Sequence, residues 1–253
     1  HSVNRVSVDI CDAEDIHSYP RWRKIGLVDK LTAFMPGIEK KDKRTYSKDG
    51  DWAVLGDNPF APSYNIKLVS AAEAPKHWED LLNPKLKGKI GMSADTKPWY
   101  TLALAEGGWG IEKTEDFLRK LKQQEPIWAR GYGAARTLMM AEEFKIMAAD
   151  NLKNIILGQK KSPVDWCRLS PIPIDGKAIF LAKKAPHPNA ARLFIEWVFS
   201  PQGLATLERV AGRSSASPGS GTRLSKALEG LPLVYRTEEV VMKVAELGLV
   251  DRF

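Results

Sequence analysis

The stretch "KAIFLAKKAPHPNAARLFIEWVFSPQG", residues 177–203, decides the fold. Its first seven residues are an apolar run of strand length, and the prolines that follow disfavour helix in the residues before them. Asn189 is a good N-cap, which predicts a helix over 190–199. Four apolar residues recur there at helical spacing and predict the buried face of that helix: Leu193, Phe194, Trp197 and Val198.

The segment that follows predicts a second helix. Ser200 is placed to cap it, and Pro201 takes a first helical position. His187 lies between two prolines, with no cysteine, histidine or carboxylate at ligand spacing. We therefore interpret His187 as a turn residue rather than a catalytic or metal-binding one.

Strand and helix patterns alternate along the rest of the chain, which predicts an α/β fold. Two proline-rich extended segments, near 58–64 and 170–175, have the character of connectors between lobes. The predicted domains are therefore a discontinuous first lobe (1–60 plus 174–225), an inserted second lobe (61–173), and a C-terminal helix within 226–253 that packs on a lobe.

Composition is that of an ordinary globular protein of 253 residues, 43% hydrophobic and 27% charged. No apolar run approaches the ~20 residues of a membrane helix, and no signal peptide opens the chain, as if a longer precursor had been cut. The net charge of +7 favours an anionic partner or reflects a scattered basic surface. We predict no nucleic-acid partner, because the sequence has no zinc spacing, RNA-binding signature or convincing helix-turn-helix.

Two cysteines and four histidines limit the redox and metal chemistry. Cys11 and Cys167 allow one disulfide in an oxidising compartment, although the strand pattern around Cys11 favours a buried free thiol. No two histidines form a metal-like pair, which argues against a histidine-rich zinc site. We predict no cofactor.

Four segments, in order, resemble the type II periplasmic solute-binding proteins of ABC transporters, most closely their ferric-iron or family 1 extracellular branch. The segments are "YNIKLV" (64–69), "APKHWEDLLNPKLKGKIGMS" (74–93), "MMAEEFKIMAAD" (139–150) and residues 177–213. The resemblance implies two lobes joined by a hinge, with the solute held in the interlobe cleft. It also implies a periplasmic or extracellular monomer that delivers its solute to membrane permease subunits.

The resemblance further implies that two N-terminal βα elements of the family, on the order of 60 residues, are absent from this sequence. Four loops then qualify as ligand-binding, because ligands of open α/β folds sit at the carboxyl ends of strands and at helix N-termini. The candidates in these loops are Asp12 with Glu14 and Asp15; Ser63 and Tyr64 with Asn65; Asp95, Thr96, Lys97, Trp99 and Tyr100; and Arg130, Tyr132, Arg136, Asp150 and Asn151.

Several of these candidates have an ordinary structural alternative. Asp95 and Thr96 are common N-cap residues, Arg136 fits a solvated helix face, and Trp99 fits a core. If Asp95 and Thr96 do not cap the helix that follows them, its free backbone N–H groups suit an anion.

The ligand is predicted to be an organic or phosphorylated anion. Ferric-binding relatives hold iron with two adjacent tyrosines after the strand that corresponds to 144–149, and here Leu152 and Lys153 stand near that position. Hard oxygen ligands suit Fe(III), so iron remains the alternative, with Tyr64, Tyr100 and Tyr132 as its phenolates. A polyamine is a lesser alternative.

Two other classes of protein are disfavoured. Ser214, Ser215 and Ser217 stand in "GRSSASPGSG" without a G-x-S-x-G nucleophile elbow, so we predict that the protein is not an enzyme. The effector domain of a transcription regulator shares the two-lobe fold but would need a DNA-binding domain.

Overall fold

The computed structural model describes residues 8–13, 19–31, 38, 42–158 and 162–252. The predicted site residues Glu14 and Asp15 lie outside these ranges. The chain divides into two compact units, of which unit 1 comprises 1–57 with 176–229 and unit 2 comprises 58–175 with 230–253.

The described residues form nine strands and ten α-helices. The strands are β1 (Ile10–Ala13), β2 (Val28–Asp29), β3 (Ala53–Asn65), β4 (Ile90–Ser93), β5 (Ile127–Ala129), β6 (Ile146–Asn151), β7 (Val164–Trp166), β8 (Ile172–Ala182) and β9 (Leu233–Tyr235). The helices are α1 (Tyr19–Lys24), α2 (Lys97–Leu104), α3 (Ile111–Lys122), α4 (Tyr132–Met140), α5 (Lys153–Ile156), α6 (Pro188–Val198), α7 (Pro201–Ala211), α8 (Arg223–Ala227), α9 (Glu238–Leu247) and α10 (Leu249–Arg252). Short 3₁₀ helices span Lys43–Thr45, Trp78–Leu82 and Pro84–Leu86.

Unit 1 is built around the second half of β8. Strand β1 pairs with it antiparallel, with Ile10 opposite Leu181, and β2 pairs with it antiparallel, with Val28 opposite Ala182. Helix α6 packs on these strands through Ala191, Ile195 and Val198, all buried. The core is completed by Leu31, Ile38, Ala53, Leu55, Ile179, Leu181 and Phe199.

The buried face predicted for α6 is wrong apart from Val198. The exposed fractions are 69% for Leu193, 47% for Phe194 and 37% for Trp197. Apolar residues occupy both sides of this helix, so the 3.6-residue period alone does not determine which side meets β8. The residues at 191, 195 and 198 also recur at helical spacing, and these pack inward.

The start of α6 also differs from its prediction. His187, not Asn189, is the N-cap, and it makes no side-chain cap bond. The backbone N–H of His187 instead donates to Asp9 Oδ1, and the His187 ring Nδ1 lies 3.2 Å from Asp9 Oδ2. The capping of α7 is confirmed, because Ser200 Oγ accepts from the Gly203 N–H at 3.1 Å and the helix begins at Pro201.

Unit 2 has a mixed sheet in which β4 lies between β5 and β6, parallel to both. Strand β6 pairs antiparallel with β3, which pairs antiparallel with β7, and β9 runs parallel to the start of β8. Because β4, β5 and β6 are parallel, their carboxyl ends meet at one edge of the sheet. Helices α2, α4 and α5 begin there, and α9 packs on α2.

An aromatic cluster forms one side of the unit 2 core. The ring centroid of Trp78 lies 5.9 Å from that of Trp99, 5.6 Å from that of Trp109 and 6.5 Å from that of Phe117. Trp78 is 1% exposed, and its indole N–H donates to the Pro171 carbonyl at 3.1 Å. The tryptophan of "PKHWEDLLNP", Trp78, therefore has a packing role in the core of unit 2.

Gly91 in β4 makes room for the buried ring of Phe144. A Cβ at Gly91 would lie 2.1 Å from Cζ of Phe144, a residue that is 1% exposed. Only glycine therefore fits beneath this ring.

Cys11 and Cys167 are both free thiols, as the strand pattern at Cys11 favoured. Cys167 is buried, whereas Cys11 is partly exposed, so the predicted burial of Cys11 is only partial. Among the residues described, no helix is both long and apolar enough to span a membrane.

Candidate functional site

Polar side chains gather at the carboxyl edge of the unit 2 sheet. Asp95 follows β4, Arg130 follows β5, and Asp150 lies at the end of β6. Tyr132 and Arg136 come from the first turns of α4. We call these five residues, together with Ser63, the carboxyl-edge cluster.

Asp150 is the most buried carboxylate of this cluster, with no exposed surface. Ser63 donates to Asp150 Oδ2 at 2.9 Å, and Arg136 Nε lies 3.7 Å from Asp150 Oδ1. Burial raises the pKa of the Asp150 carboxyl to about 6, although the Arg136 guanidinium and the Ser63 hydroxyl act in the opposite direction. Asp150 is therefore a carboxylate held close to its protonation point.

This arrangement predicts a pH-dependent stability. The folded protein binds the Asp150 proton more tightly than the unfolded chain, whose carboxyl titrates near 3.8. The wild type should therefore lose stability relative to Asp150→Asn as pH rises from about 4 to about 6, by about 3 kcal/mol, with no further loss above that range. Urea unfolding at a series of pH values, followed by circular dichroism, measures the difference.

Asp116→Asn is the matched control for that series. Asp116 lies on α3, where a hydrogen bond from Lys120 lowers the pKa of its carboxyl. Its difference curve should rise rather than fall with pH. A difference curve for Asp150→Asn that stays flat between about pH 4 and pH 7 would contradict the assignment.

Tyr132 places a phenol among the carboxylates of unit 2. Its hydroxyl is buried, and burial is the main cause that raises its pKa. The carboxylates of Asp95, Asp150 and Asp175 raise the pKa further. The Tyr132 phenol is therefore held in its neutral form.

A buried ion pair beside the cluster was not predicted from the sequence. Arg236 is 3% exposed and contacts Asp175 Oδ1 through Nε at 2.7 Å and through Nη2 at 2.6 Å. Arg236 also donates to the Tyr100 hydroxyl at 3.1 Å, and Lys97 Nζ lies 4.0 Å from Asp175 Oδ2. Asp175 and Arg236 are 61 residues apart, and the only sequence signal was that each follows a short apolar run.

The start of α2 does not offer the free backbone N–H groups that we expected there. The Lys97 N–H donates to Asp95 Oδ1 at 3.0 Å. The N–H groups of Trp99 and Tyr100 both donate to the Thr96 carbonyl, and Pro98 has none. The expected anion site at this helix start is therefore wrong, and Asp95 serves as a local cap.

The start of α4 is open, in contrast. Among the residues described, the N–H groups of Tyr132, Gly133 and Ala134 have no partner, and the first bond of this helix runs from the Ala135 N–H to the Gly131 carbonyl. A Cβ at Gly131 or Gly133 would meet nothing within 4 Å. Three N–H groups without a partner thus lie at the positive end of a helix, beside two glycines whose Cβ positions are open.

Two arginines flank this helix start. Arg130 is exposed on the loop before it. Arg136 lies one turn into α4, and helical side chains point back toward the N-terminus. Its side chain is largely buried, 15% exposed, and its Nε lies 3.7 Å from Asp150 Oδ1. The start of α4 can therefore attract an anion both by its backbone and by its cationic side chains.

Other predicted site residues have structural partners elsewhere in unit 2. Trp99 is 3% exposed within the aromatic cluster, which agrees with its alternative interpretation as a core residue. The Tyr64 hydroxyl donates to Asp165 Oδ2 at 3.3 Å. Asn151 Oδ1 accepts from the Lys153 N–H at 3.1 Å, which is a turn interaction, and Thr96 makes no side-chain cap bond.

In unit 1, Asp12 lies within a basic group. Its carboxylate contacts Arg213 Nη2 at 2.5 Å and Lys177 Nζ at 3.6 Å. Burial raises the pKa of Asp12, but hydrogen bonds and charges from Arg213 and Lys177 outweigh it and lower the pKa overall. Both cations are distant from Asp12 along the chain, so the sequence did not predict these contacts.

The serine-rich loop after α7 is held by internal hydrogen bonds. Ser214 Oγ donates to Glu208 Oε2 at 2.6 Å, and Ser215 Oγ donates to Asp57 Oδ2 at 3.4 Å. The Ala216 N–H also donates to Asp57 Oδ2, at 2.6 Å. These contacts give the buried serines a role in fixing the loop. Among the described residues, no group of three or more His, Cys, Asp or Glu is placed to hold a metal ion.

Comparison with solved structures identifies the fold. Iron-bound HitA from Pseudomonas aeruginosa superposes with a TM-score of 0.72 at 18% identity, covering 98% of this chain and 83% of HitA. Ferric iron-binding protein A from Mannheimia haemolytica, in an open conformation, gives 0.75 at 18%, covering 96% and 81%. AfuA from Actinobacillus pleuropneumoniae, with fructose 6-phosphate bound, gives 0.71 at 19%, covering 98% and 82%.

These similarities confirm the predicted fold, that of the two-lobe periplasmic binding proteins. No curated protein matches the sequence. The family model for bacterial extracellular solute-binding proteins matches residues 6–231, most of the chain. The chain therefore belongs to the bacterial extracellular solute-binding proteins, the solute-binding components of ABC importers.

Proposed function

We propose that this protein binds a small organic or phosphorylated anion at the start of α4. The observation that carries the proposal is the set of three unpartnered N–H groups, those of Tyr132, Gly133 and Ala134, beside Arg130 and Arg136. It acts as a periplasmic monomer, releases the solute unchanged, and delivers it to membrane permease subunits.

Electrostatics favour an anion over a neutral solute at this position. The N-terminus of a helix carries about half a positive charge, and its N–H groups suit phosphate or carboxylate oxygens. An anion there would also contact Arg136, whose present partner Asp150 is close to its protonation point. One of the similar structures, AfuA, holds fructose 6-phosphate, so this fold accommodates a phosphorylated solute.

Iron is the alternative solute, since HitA is iron-bound. Fe(III) needs ionised phenolates, and burial raises the pKa of both Tyr64 and Tyr132. The Tyr100 hydroxyl accepts a hydrogen bond from Arg236. Leu152, near the position of the tyrosine pair of ferric relatives, is fully buried. These features favour an anion as the solute.

Replacing Arg136 by alanine tests the proposal. We expect Arg136→Ala to weaken anion binding by about 2 kcal/mol or more, about thirtyfold, because a charge-assisted hydrogen bond in a largely buried setting is lost. The measurement is calorimetric titration with a panel of sugar phosphates, phosphonates and dicarboxylates. Arg119→Ala, which removes an arginine from the exposed surface of α3, should leave the affinity unchanged.

The iron alternative has its own readout. Ferric nitrilotriacetate added to the wild type would give a visible iron–phenolate band if tyrosines bind the metal. If Arg136→Ala binds anions normally while Tyr→Phe changes at 64, 100 or 132 abolish such a band, the anion proposal is overturned and iron is the solute.

A further inference from the structure

Unit 2 contains a cavity at the edge of its sheet opposite the carboxyl-edge cluster. A cavity of about 540 Å³ opens where β3 ends and where β4 and β6 begin. Its lining includes the apolar residues Val69, Ala74 and Ile146, all less than 10% exposed. Four lysines line it: Lys76, Lys85, Lys89 and Lys145. We call it the basic cavity.

Two carboxylates also line the cavity, but both already accept hydrogen bonds from neighbouring residues. Glu73 Oε2 accepts from the Ser70 N–H at 3.0 Å and from the Ser70 hydroxyl at 2.7 Å. Asp80 Oδ2 accepts from the Lys76 N–H at 2.7 Å and from the His77 N–H at 2.9 Å. These bonds hold the carboxylates in local turns, and four lysines against two carboxylates leave the cavity with a net positive charge.

The ammonium groups of the cavity retain donors for a ligand. Lys76 Nζ donates to the Ala71 carbonyl at 2.6 Å, and Lys89 Nζ donates to the Lys85 carbonyl at 3.1 Å. Each of these groups has three N–H bonds, so two remain on each. Among the described residues, Lys85 Nζ has no hydrogen-bond or ion-pair partner, and Lys145 has only a long-range attraction to Glu73.

The basic cavity is separate from the carboxyl-edge cluster. Ile146 at the cavity and Asp150 at the cluster are at opposite ends of β6. Four residues of strand span about 13 Å. A ligand in the cavity therefore does not touch Arg136 or the start of α4.

We propose that the basic cavity binds a second anion, one that carries at least two phosphate or carboxylate groups on a compact, partly apolar body. Multiple charges on the ligand match the clustered lysines, and the apolar residues of the lining suit the body of the molecule. A cavity of this volume is in the range of small-molecule sites. The same chemistry is available from a free metabolite and from an anionic lipid headgroup, and the experiment separates these sources.

The test uses the full chain and inorganic pyrophosphate, with citrate as a second soluble probe. Titrations are made in the Arg136→Ala background, so that binding at α4 is weakened, and amide chemical shifts locate the probe. We expect shifts at Val69, Ala74 and Ile146, and a loss of affinity of at least tenfold in Lys85→Ala/Lys145→Ala. Lys120→Ala/Lys122→Ala removes the same charge from α3 and should change the affinity less than twofold.

A second experiment compares the binding of the protein to vesicles of phosphatidylglycerol, which are anionic, with its binding to vesicles of phosphatidylcholine. Binding to the anionic vesicles alone, lost in Lys85→Ala/Lys145→Ala, would support the cavity with a lipid headgroup as its ligand. The inference is overturned if neither soluble probe nor anionic vesicle binds, or if the control pair loses as much affinity as the cavity pair. Either result leaves the α4 proposal intact, because Lys85→Ala/Lys145→Ala does not alter that helix.

Discussion

Replacing Arg236 by alanine should lower the free energy of unfolding by about 3–5 kcal/mol. Arg236 is 3% exposed and Asp175 is 4% exposed on its side chain, so the substitution removes the closest cation from a buried carboxylate. Lys97, at 4.0 Å from Asp175, compensates only in part. Urea unfolding followed by circular dichroism at neutral pH measures the loss.

A double variant tests whether the loss comes from the uncompensated charge. Asp175→Leu/Arg236→Met removes both charges and keeps apolar volume, and we expect it to recover most of the stability, since a buried pair is often replaceable by packed apolar residues. A single variant as stable as the wild type, or a double variant less stable than the single one, would contradict this account of the pair.

Replacing Trp78 by alanine should cost about 3–5 kcal/mol, as is typical of a tryptophan removed from a core. The substitution opens a cavity beside Trp99, Trp109 and Phe117 and leaves the Pro171 carbonyl without its indole donor. Trp128→Ala is the matched control, because Trp128 on β5 is 55% exposed. Its unfolding free energy should remain within about 0.5 kcal/mol of the wild type.

Equal losses for Trp78→Ala and Trp128→Ala would contradict the packing described for unit 2. Thermal unfolding by calorimetry gives a second measurement of both variants. Because we propose that the solute binds at α4, Trp78→Ala should retain solute affinity at temperatures where it is folded. This separates a stability defect from a binding defect.

Local signals in the sequence were enough to predict most of the elements around the carboxyl edge. The turn residues and apolar runs of "GKIGMSADTKPWY" predicted β4 followed by α2, and these elements form. Asp95 and Asp150 were both candidates because each follows a predicted strand, and the parallel pairing of β4 with β6 brings them to the same edge.

Contacts between distant segments could not be predicted in the same way. The Asp175–Arg236 pair, the Asp12–Arg213 pair and the four lysines of the basic cavity each join segments that only the folded chain brings together. The prediction of the buried side of α6 was wrong because both sides of that helix are apolar. Only the position of β8 in the folded chain determines which side is buried. The anion site expected at the start of α2 was wrong because the Asp95 side chain already accepts the hydrogen bond from the Lys97 N–H.

The exposed indole of Trp128 gives unit 2 an optical reporter close to the α4 helix start. Trp128 precedes Arg130 by two residues and is 55% exposed, so its fluorescence is open to quenchers in solution. The positive charge of Arg130 concentrates iodide there relative to neutral acrylamide. An anion bound at the start of α4 as proposed would compete with iodide for the same field. The chain has eight tryptophans, so the difference in iodide quenching between the wild type and Trp128→Ala would report its arrival without any added label.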